Sequence, residues 1–360
     1  MLTSCGLPGP RLADCPFLST LICIPLKTAY ELNTELEEFR EVFLKLKTEI
    51  GKAIVGYEEL VTDTLAAIFA QGHVLLEGVP GLGKTHLVKT IARALHLDSG
   101  RIQCTPDLMP ADILGTQIVD LDAASGQRAL RFEKGPVFKN ILLIDEINRA
   151  TPKTQAALLE VMQEHRVTTG GTTHELPTPF FVLATQNPME MEGTYPLPEA
   201  QLDRFLFKIK VPFPDLPSLV EISRRTTGYQ APRVEAVCSG DEINKYQETL
   251  SYLPIADPLT EWAAQLVLAT HPDGPGAPEK VKRHIAYGSS PRGLQAMIRG
   301  ARVHAAVAGR TAVSLDDLKR AAKIALRHRI IRNFEGEAAA VDIDALISEL
   351  IAERPLAAAA

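Results

Sequence analysis

No apolar run in this 360-residue chain reaches the roughly 18 residues that a membrane-spanning helix needs. The longest candidate, Phe17–Leu26, is interrupted by Pro25. Only Arg11 precedes it, offset by Asp14, so the basic leader of a secretory signal is missing too. Cysteine is sparse. Cys5, Cys15 and Cys23 crowd the N-terminus, Cys104 and Cys238 are isolated, and no CxxC or histidine-spaced cluster occurs. An odd number without zinc spacing suits a reduced, cytoplasmic chain better than a disulfide scaffold. An overall basic excess is also lacking: 38 Lys and Arg against 44 Asp and Glu leave −6, which excludes a bulk nucleic-acid coat. Hydrophobic residues at 46% and charged residues at 23% exclude a disordered or fibrous chain. At about 100–200 residues per domain, the length predicts two domains.

Residues 1–28 match no pattern and read as a poorly ordered extension, or as a start assigned too early. From about Glu31 to Lys52, Leu32, Leu36, Phe39, Phe43, Leu46 and Ile50 recur at steps of four and three, the stripe of a helix packed on a domain. A second helix is expected over about Glu58–Gln71. Strands are then expected at His73–Glu77, Arg101–Cys104, Ile141–Asp145, Phe180–Thr185 and Leu206–Val211. Helical stretches such as Thr85–Leu95 and Lys153–Glu164 lie between them. Alternation of this kind predicts βαβ units, a parallel five-stranded sheet and helices on both faces. In such sheets ligands sit at the carboxyl ends of the strands. Three prolines in Val211–Pro217 mark a domain boundary. Beyond it everything reads helical, at about 218–228, 239–252, 258–269, 290–309, 314–330 and 338–352.

Gly78-Val79-Pro80-Gly81-Leu82-Gly83-Lys84-Thr85 fits G-x-x-x-x-G-K-[ST], with a buried strand before it and a helix after it. Glycines let consecutive backbone N–H groups point at one phosphate, and the following helix, which His86 continues, adds its positive N-terminal end. Lys84 would sit on the β- and γ-phosphates of ATP, and Thr85 would give its hydroxyl to Mg2+. Farther on, Ile141-Leu-Leu-Ile-Asp145-Glu146 reads as a buried strand delivering two carboxylates to its tip, costly unless a cation meets them. Asp145 would bind the metal through water, and Glu146 would polarise the attacking water. Asn187, at the end of Phe180–Ala184 plus Thr185-Gln186, can orient that water through its amide; as a residue before proline it reads equally as a turn.

With these pieces in order the chain resembles the AAA+ ATPases, and within them the MoxR family. The resemblance rests on Gly78–Thr85, Leu143-Ile-Asp-Glu-Ile-Asn-Arg-Ala150, Ala184-Thr-Gln-Asn-Pro188 and the block Glu192–Phe205. It continues through Ser290-Pro-Arg-Gly293, Gly309-Arg310 and Leu326-Arg-His-Arg329, spanning roughly residues 35–335. It implies a P-loop NTPase sheet domain followed by a smaller all-α lid. Arg204 matches the arginine finger that enters a neighbouring subunit's site, and Arg292 matches the lid's sensor arginine, contacting the phosphate of its own subunit. Ile54, Val55 and Gly56 match the segment that cradles adenine. Arg299, Arg302 and Arg320 read as ordinary solvated or salt-bridged helix residues. The resemblance further implies a hexameric, chaperone-like ATPase that activates, matures or inserts cofactors into partners, often through von Willebrand factor A domain proteins.

The domains expected are therefore an extension 1–28, a sheet domain 29–213, a lid 214–335 and a C-terminal helix and tail 336–360. Two β-hairpins interrupt the sheet domain, near 115–135 around Asp122–Gly126 and at 166–179 around Gly170-Gly171. They read as client-facing insertions or as plain surface hairpins. The chain departs from the family at Ala269-Thr-His-Pro272, and it lacks the aromatic pore loop of threading unfoldases. Between Lys280 and Arg332 there are 13 Lys and Arg and two Asp and Glu, an excess of 11. Such a segment permits a DNA-translocating or remodelling motor, although only Tyr287 is available there for base stacking. A nucleotide-gated scaffold without turnover is the other alternative, opposed by the joint presence of Glu146, Asn187, Arg204 and Arg292.

Overall fold

In the computed structural model, residues 29–121, 128–187, 193–227 and 233–354 are described; the 1–28 extension, the first hairpin's turn and Pro188 lie outside them. The N-terminal helices are α1 (Ala29–Ala53) and α2 (Glu58–Phe69). The expected apolar stripe of α1 is buried from Leu36 to Ile50. Phe39 and Phe43 meet Phe69 of α2 with ring centroids 5.0 and 5.9 Å apart.

The chain then runs through β1 (Val74–Glu77), α3 (Lys84–Ala94), β2 (Ser99–Gln103) and α4 (Pro110–Leu114). A hairpin of β3 (Gly115–Leu121) and β4 (Arg128–Lys134) leads to β5 (Ile141–Asp145) and α5 (Pro152–Glu164), which starts at an N-cap Thr151 followed by proline. A second hairpin, β6 (Arg166–Thr169) and β7 (Thr172–Glu175), turns at Gly170 and Gly171, both with positive φ, the signature of a tight two-residue turn. It is followed by β8 (Phe181–Gln186), α6 (Glu199–Leu202) and β9 (Phe207–Lys210).

Strands β2, β5, β8, β1 and β9 form, in that order, the expected five-stranded parallel sheet. Successive residues of the central strands go to opposite faces. Ile141 and Leu143 of β5 join one hydrophobic core, while Leu142 and Ile144 join a second. Both faces are covered, which is why these strands read as unbroken apolar runs.

Beyond the sheet come α7 (Leu216–Thr227), α8 (Gly240–Ser251), α9 (Asp257–Leu268), α10 (Glu279–His284), β10 (Ile285–Tyr287), α11 (Pro291–Val307), α12 (Leu315–Leu326), β11 (Ile331–Arg332), α13 (Phe334–Ala338) and α14 (Ile343–Ala352). The first core continues without a break from α1 through the sheet to Leu350 of α14. Gly300 of α11 packs tightly on the sheet: a β-carbon there would lie 2.6 Å from the Phe207 ring.

Two expectations about the lid change. It is not wholly helical, because β10 and β11 pair antiparallel; segments of three and two residues carry no readable alternation. The helix expected over 338–352 divides into α13 and α14, with Ala340 at φ 48° and Asp342 capping the second helix. The basic excess of the lid is also largely neutralised. Lys280, Lys282, Arg283, Arg320 and Arg327 reach Glu349, Glu279, Glu335, Asp63 and Asp344, and Arg292 and Arg329 reach Asp203. All these acids lie outside the basic segment. Among the described residues, no helix is long and apolar enough to cross a membrane.

Candidate active site

The strand order brings the motifs together. β8 lies between β1 and β5, so Asn187, just after β8 and buried, falls between the loop leaving β1 and the carboxylates leaving β5. The loop is tied to that neighbour where Gly78 N–H donates to Gln186 O at 3.2 Å. Gly81 and Gly83 hold φ of 85° and 77°, a conformation that favours glycine, and a β-carbon on either would meet nothing within 4 Å. The loop's concave side is therefore open backbone.

Lys84 begins α3, and its Nζ donates to Gly78 O at 2.6 Å, inside the loop it would serve. Partial burial pushes its pKa down, against the opposing pull of Asp145 and Glu146. Thr85 Oγ1 lies 3.5 Å from Asp145 Oδ2. The second Asp145 oxygen accepts from Thr185 Oγ1 at 3.2 Å, and that hydroxyl accepts the Glu146 N–H at 2.9 Å. Glu146 occupies the left-handed region, φ 55° and ψ 51°, a strained conformation of a kind that clusters at functional sites. Among the described residues no three His, Cys, Asp or Glu side chains are grouped to hold a metal. Thr85 and Asp145 supply two hard oxygens, fitting a Mg2+ ion that draws its remaining ligands from phosphates and water.

Sequence reasoning missed three polar partners here. Arg101 Nε donates to Asp145 Oδ2 at 2.7 Å, Gln103 Nε2 donates to Glu146 Oε2 at 3.1 Å, and Arg149 donates to the same oxygen at 3.1 Å. Arg101 and Gln103 alternate along β2, a signal visible only once β2 is known to pair with β5. Buried Cys104 follows this strand, its thiol pushed up to about 12 by desolvation first and the two carboxylates second, so it is unreactive.

Beside the loop an apolar pocket of about 380 Å3 is lined by Ile54, Val55, Tyr57, Leu60, Leu82, His86, Phe213 and Leu219, among others. Ile54, Val55 and His86 thus face the space where a base attached to the bound phosphates would lie. Gly56 is placed otherwise. It turns at φ 75° with a would-be β-carbon 2.3 Å from Ser218 Oγ, and it lines a separate groove.

Arg204 and Arg292 lie elsewhere too. Together with Arg299 and Arg329 they line a different cleft, of about 200 Å3, and neither lines the pocket beside Lys84. In this arrangement Arg292 faces that cleft and not the pocket beside Lys84. The reason is how α11 begins: Ser290 Oγ donates to Asp203 Oδ1 at 2.8 Å, and Arg329 Nε donates to the same oxygen at 2.7 Å. The first contact pins the start of α11, and the second the end of α12, beside residues 203–206. Arg299, read as an ordinary face residue, donates to Gln71 O at 2.6 Å within this cleft.

The two hairpins also meet. Phe132 of β4 stacks on His174 of β7 at 4.3 Å and 19°, and Gly170 abuts Gln117 of β3. Val119 and Leu130, a cross-strand pair, are exposed.

Residues 73–207 match the family model for the ATPase family associated with various cellular activities (AAA), and residues 279–350 match an AAA lid domain. A relative from Mycobacterium tuberculosis, Chaperone MoxR1, is 42% identical over 84% of this chain and 79% of its own length. Protein MoxR of Methylorubrum extorquens is 30% identical over 82% of this chain and 89% of its own. A crystal structure of a candidate ATPase from Cytophaga hutchinsonii superposes with a TM-score of 0.84 at 39% identity, covering 90% of this chain and 98% of that one.

Proposed function

The chain belongs to the MoxR family of chaperone-like AAA+ ATPases, and on that premise we propose that it hydrolyses ATP at a site shared between two subunits of a ring. One observation carries the reading. The phosphate loop, with Asp145 beside its Thr85, borders one pocket, whereas Arg204 and Arg292 line another. A single chain thus holds both halves of a phosphoryl-transfer site on different surfaces, and a head-to-tail interface joins them and closes into a ring. The family resemblance makes that ring a hexamer.

Within one site the loop N–H groups and Lys84 hold the phosphates, while Ile54, Val55 and the apolar pocket receive the base. Glu146 polarises the attacking water and Asn187 orients it. Thr85, and Asp145 through water, would hold a Mg2+ ion, which would supply positive charge against the β- and γ-phosphates. Arg204 and Arg292 of the neighbour stabilise charge that develops as the bond breaks. The residue division 29–213 and 214–335 is then a sheet domain and a lid, with residues 336–360 as a C-terminal extension. The two hairpins, joined through Phe132 and His174, move as one client-facing body, and the clients are proteins to be matured, activated or loaded, with von Willebrand factor A domain proteins as adaptors. The location is cytoplasmic. A nucleic-acid client is disfavoured because most basic residues of the lid already have acidic partners.

Subunit mixing tests this. Glu146→Gln should bind ATP and release no phosphate, and Arg204→Ala should bind ATP and turn it over poorly. Mixed, the two should regain activity at about a quarter of the interfaces by random assembly. Two inactive parents that give an inactive mixture, in rings shown to exchange subunits, would rule out the shared site.

A further inference from the structure

Both carboxylates at the tip of β5 have an arginine beside them. Arg149 lies one turn from Glu146 in the chain, whereas Arg101 reaches Asp145 from the sheet's edge strand, 44 residues away. The second pair is the informative one. Asp145 is nearly buried, at 11% side-chain exposure, while the Arg101 side chain is half exposed. The oxygen that Arg101 holds, Oδ2, is the one that faces Thr85 Oγ1. The other oxygen is taken by Thr185. The second arm of the same guanidinium donates to Gln103 Oε1 at 2.6 Å, and Gln103 in turn holds Glu146.

We propose that Arg101 is a resident counter-ion of Asp145 that competes with the divalent cation, so that metal-bound nucleotide must displace it. The inference rests on the ATP-binding reading above. A carboxylate this buried is costly without a cation nearby. Lys84 is near enough to feel both carboxylates, but its ammonium is hydrogen-bonded to the loop carbonyl of Gly78, whereas Arg101 bonds Asp145 directly. A guanidinium and the water shell of a metal ion compete for that one oxygen, and the two cations repel each other, strongly where water is partly excluded. Arg101 is the group that can yield: its side chain already borders solvent, and its charge is easily hydrated once released. Arginine suits the position because its planar fork bonds Asp145 and Gln103 at once, which a lysine ammonium does less well. Arg101 is thus a positioning residue. It holds Asp145 while no metal is bound and supports Gln103, one of two donors on Glu146 beside Arg149, and its departure frees Asp145.

The test is a Mg2+ titration of the full-length protein at a fixed concentration of a fluorescent ATP analogue, with analogue binding as the signal. Arg101→Met and Arg101→Gln should lower the half-saturating Mg2+ about three- to tenfold, the scale of a partly exposed ion pair. Arg101→Lys should stay within about twofold of wild type. Arg101→Gln keeps a hydrogen-bond donor towards Asp145, so it guards against a fold defect in the methionine variant, and analogue binding in EDTA checks that each variant is intact. A midpoint unchanged in both neutral variants, or raised, would overturn the proposal; a rise would make Arg101 a phosphate contact instead. Failure of the wild type to bind the analogue at any Mg2+ concentration would refute the ATP reading itself, a result distinct from unaltered variants of a binding-competent protein.

Discussion

Arg329→Ala should cost about 3–5 kcal/mol of folding stability. The Arg329 side chain is 3% exposed and bridges the end of α12 to the segment between α6 and β9. Its Nε meets Asp203 Oδ1 at 2.7 Å, Nη1 donates to Leu206 O at 3.1 Å and to Ala325 O, and Nη2 donates to Asp203 O and Phe205 O at 3.0 and 2.7 Å. Burial lowers its pKa and the Asp203 carboxylate opposes that, so the guanidinium stays charged and Asp203 depends on it. Truncation leaves a partly buried carboxylate and several carbonyl oxygens short of donors. Asp203 keeps the Ser290 hydroxyl and, at 3.9 Å, the Arg292 guanidinium, which favours the lower end of the range. At about 2–4 °C per kcal/mol for domains of 150–250 residues, the melting temperature should fall by about 6–12 °C. Arg332→Ala is the control: that residue is exposed and its side chain makes one long contact, to Val341 O at 3.4 Å, so the loss should stay within about 0.5 kcal/mol. Urea and thermal unfolding of both variants give the comparison. A loss below about 1 kcal/mol for Arg329→Ala would show that water readily solvates the junction, and the account of how the end of α12 is held beside Arg204 would fall with it.

Asp63 is expected to give stability an unusual pH dependence. Burial raises its pKa to about 6, with Arg320 opposing. The folded form then holds the proton more tightly than the unfolded chain, so stability falls as pH rises from about 4 to about 6. Asp63→Asn should unfold like wild type near pH 4 and be more stable by about 2–3 kcal/mol at pH 7; urea midpoints that differ equally at both pH values would refute this. Gly300→Ala should destabilise by about 1–3 kcal/mol through the clash with Phe207. Gly51→Ala, within α1 and with nothing in contact range, should stabilise by about 0.5–1 kcal/mol. Equal melting shifts for the two glycine variants would refute the tight α11–sheet packing.

What could be read from the chain is what is local in it. The phosphate loop needs its glycines, Lys84 and Thr85 within eight consecutive positions, and the acidic strand tip needs four apolar residues before Asp145. Gly170-Gly171 announces its turn, and the stripe of α1 repeats at helical spacing. The alternation of strands and helices also carried the sheet, because parallel strands buried on both faces leave unmistakable apolar runs. Short or long-range features left no such trace. The β10–β11 pair is too short to show a period.

The site divides along the same line. Which residues can handle phosphate follows from residue type and spacing, and the sheet brings the loop, Asp145, Glu146 and Asn187 to neighbouring strand tips. Which residues face which is set by packing. Arg101 meets Asp145 only because β2 pairs with β5, and Arg292 sits with Arg204 only because Asp203 anchors α11 from 87 residues away. The basic excess of the lid, so prominent in the sequence, loses most of its meaning once acids from distant segments fold against it. Periodicity and motif are written in neighbouring residues, whereas the partner of a charge depends on the whole chain's closure around a shared core.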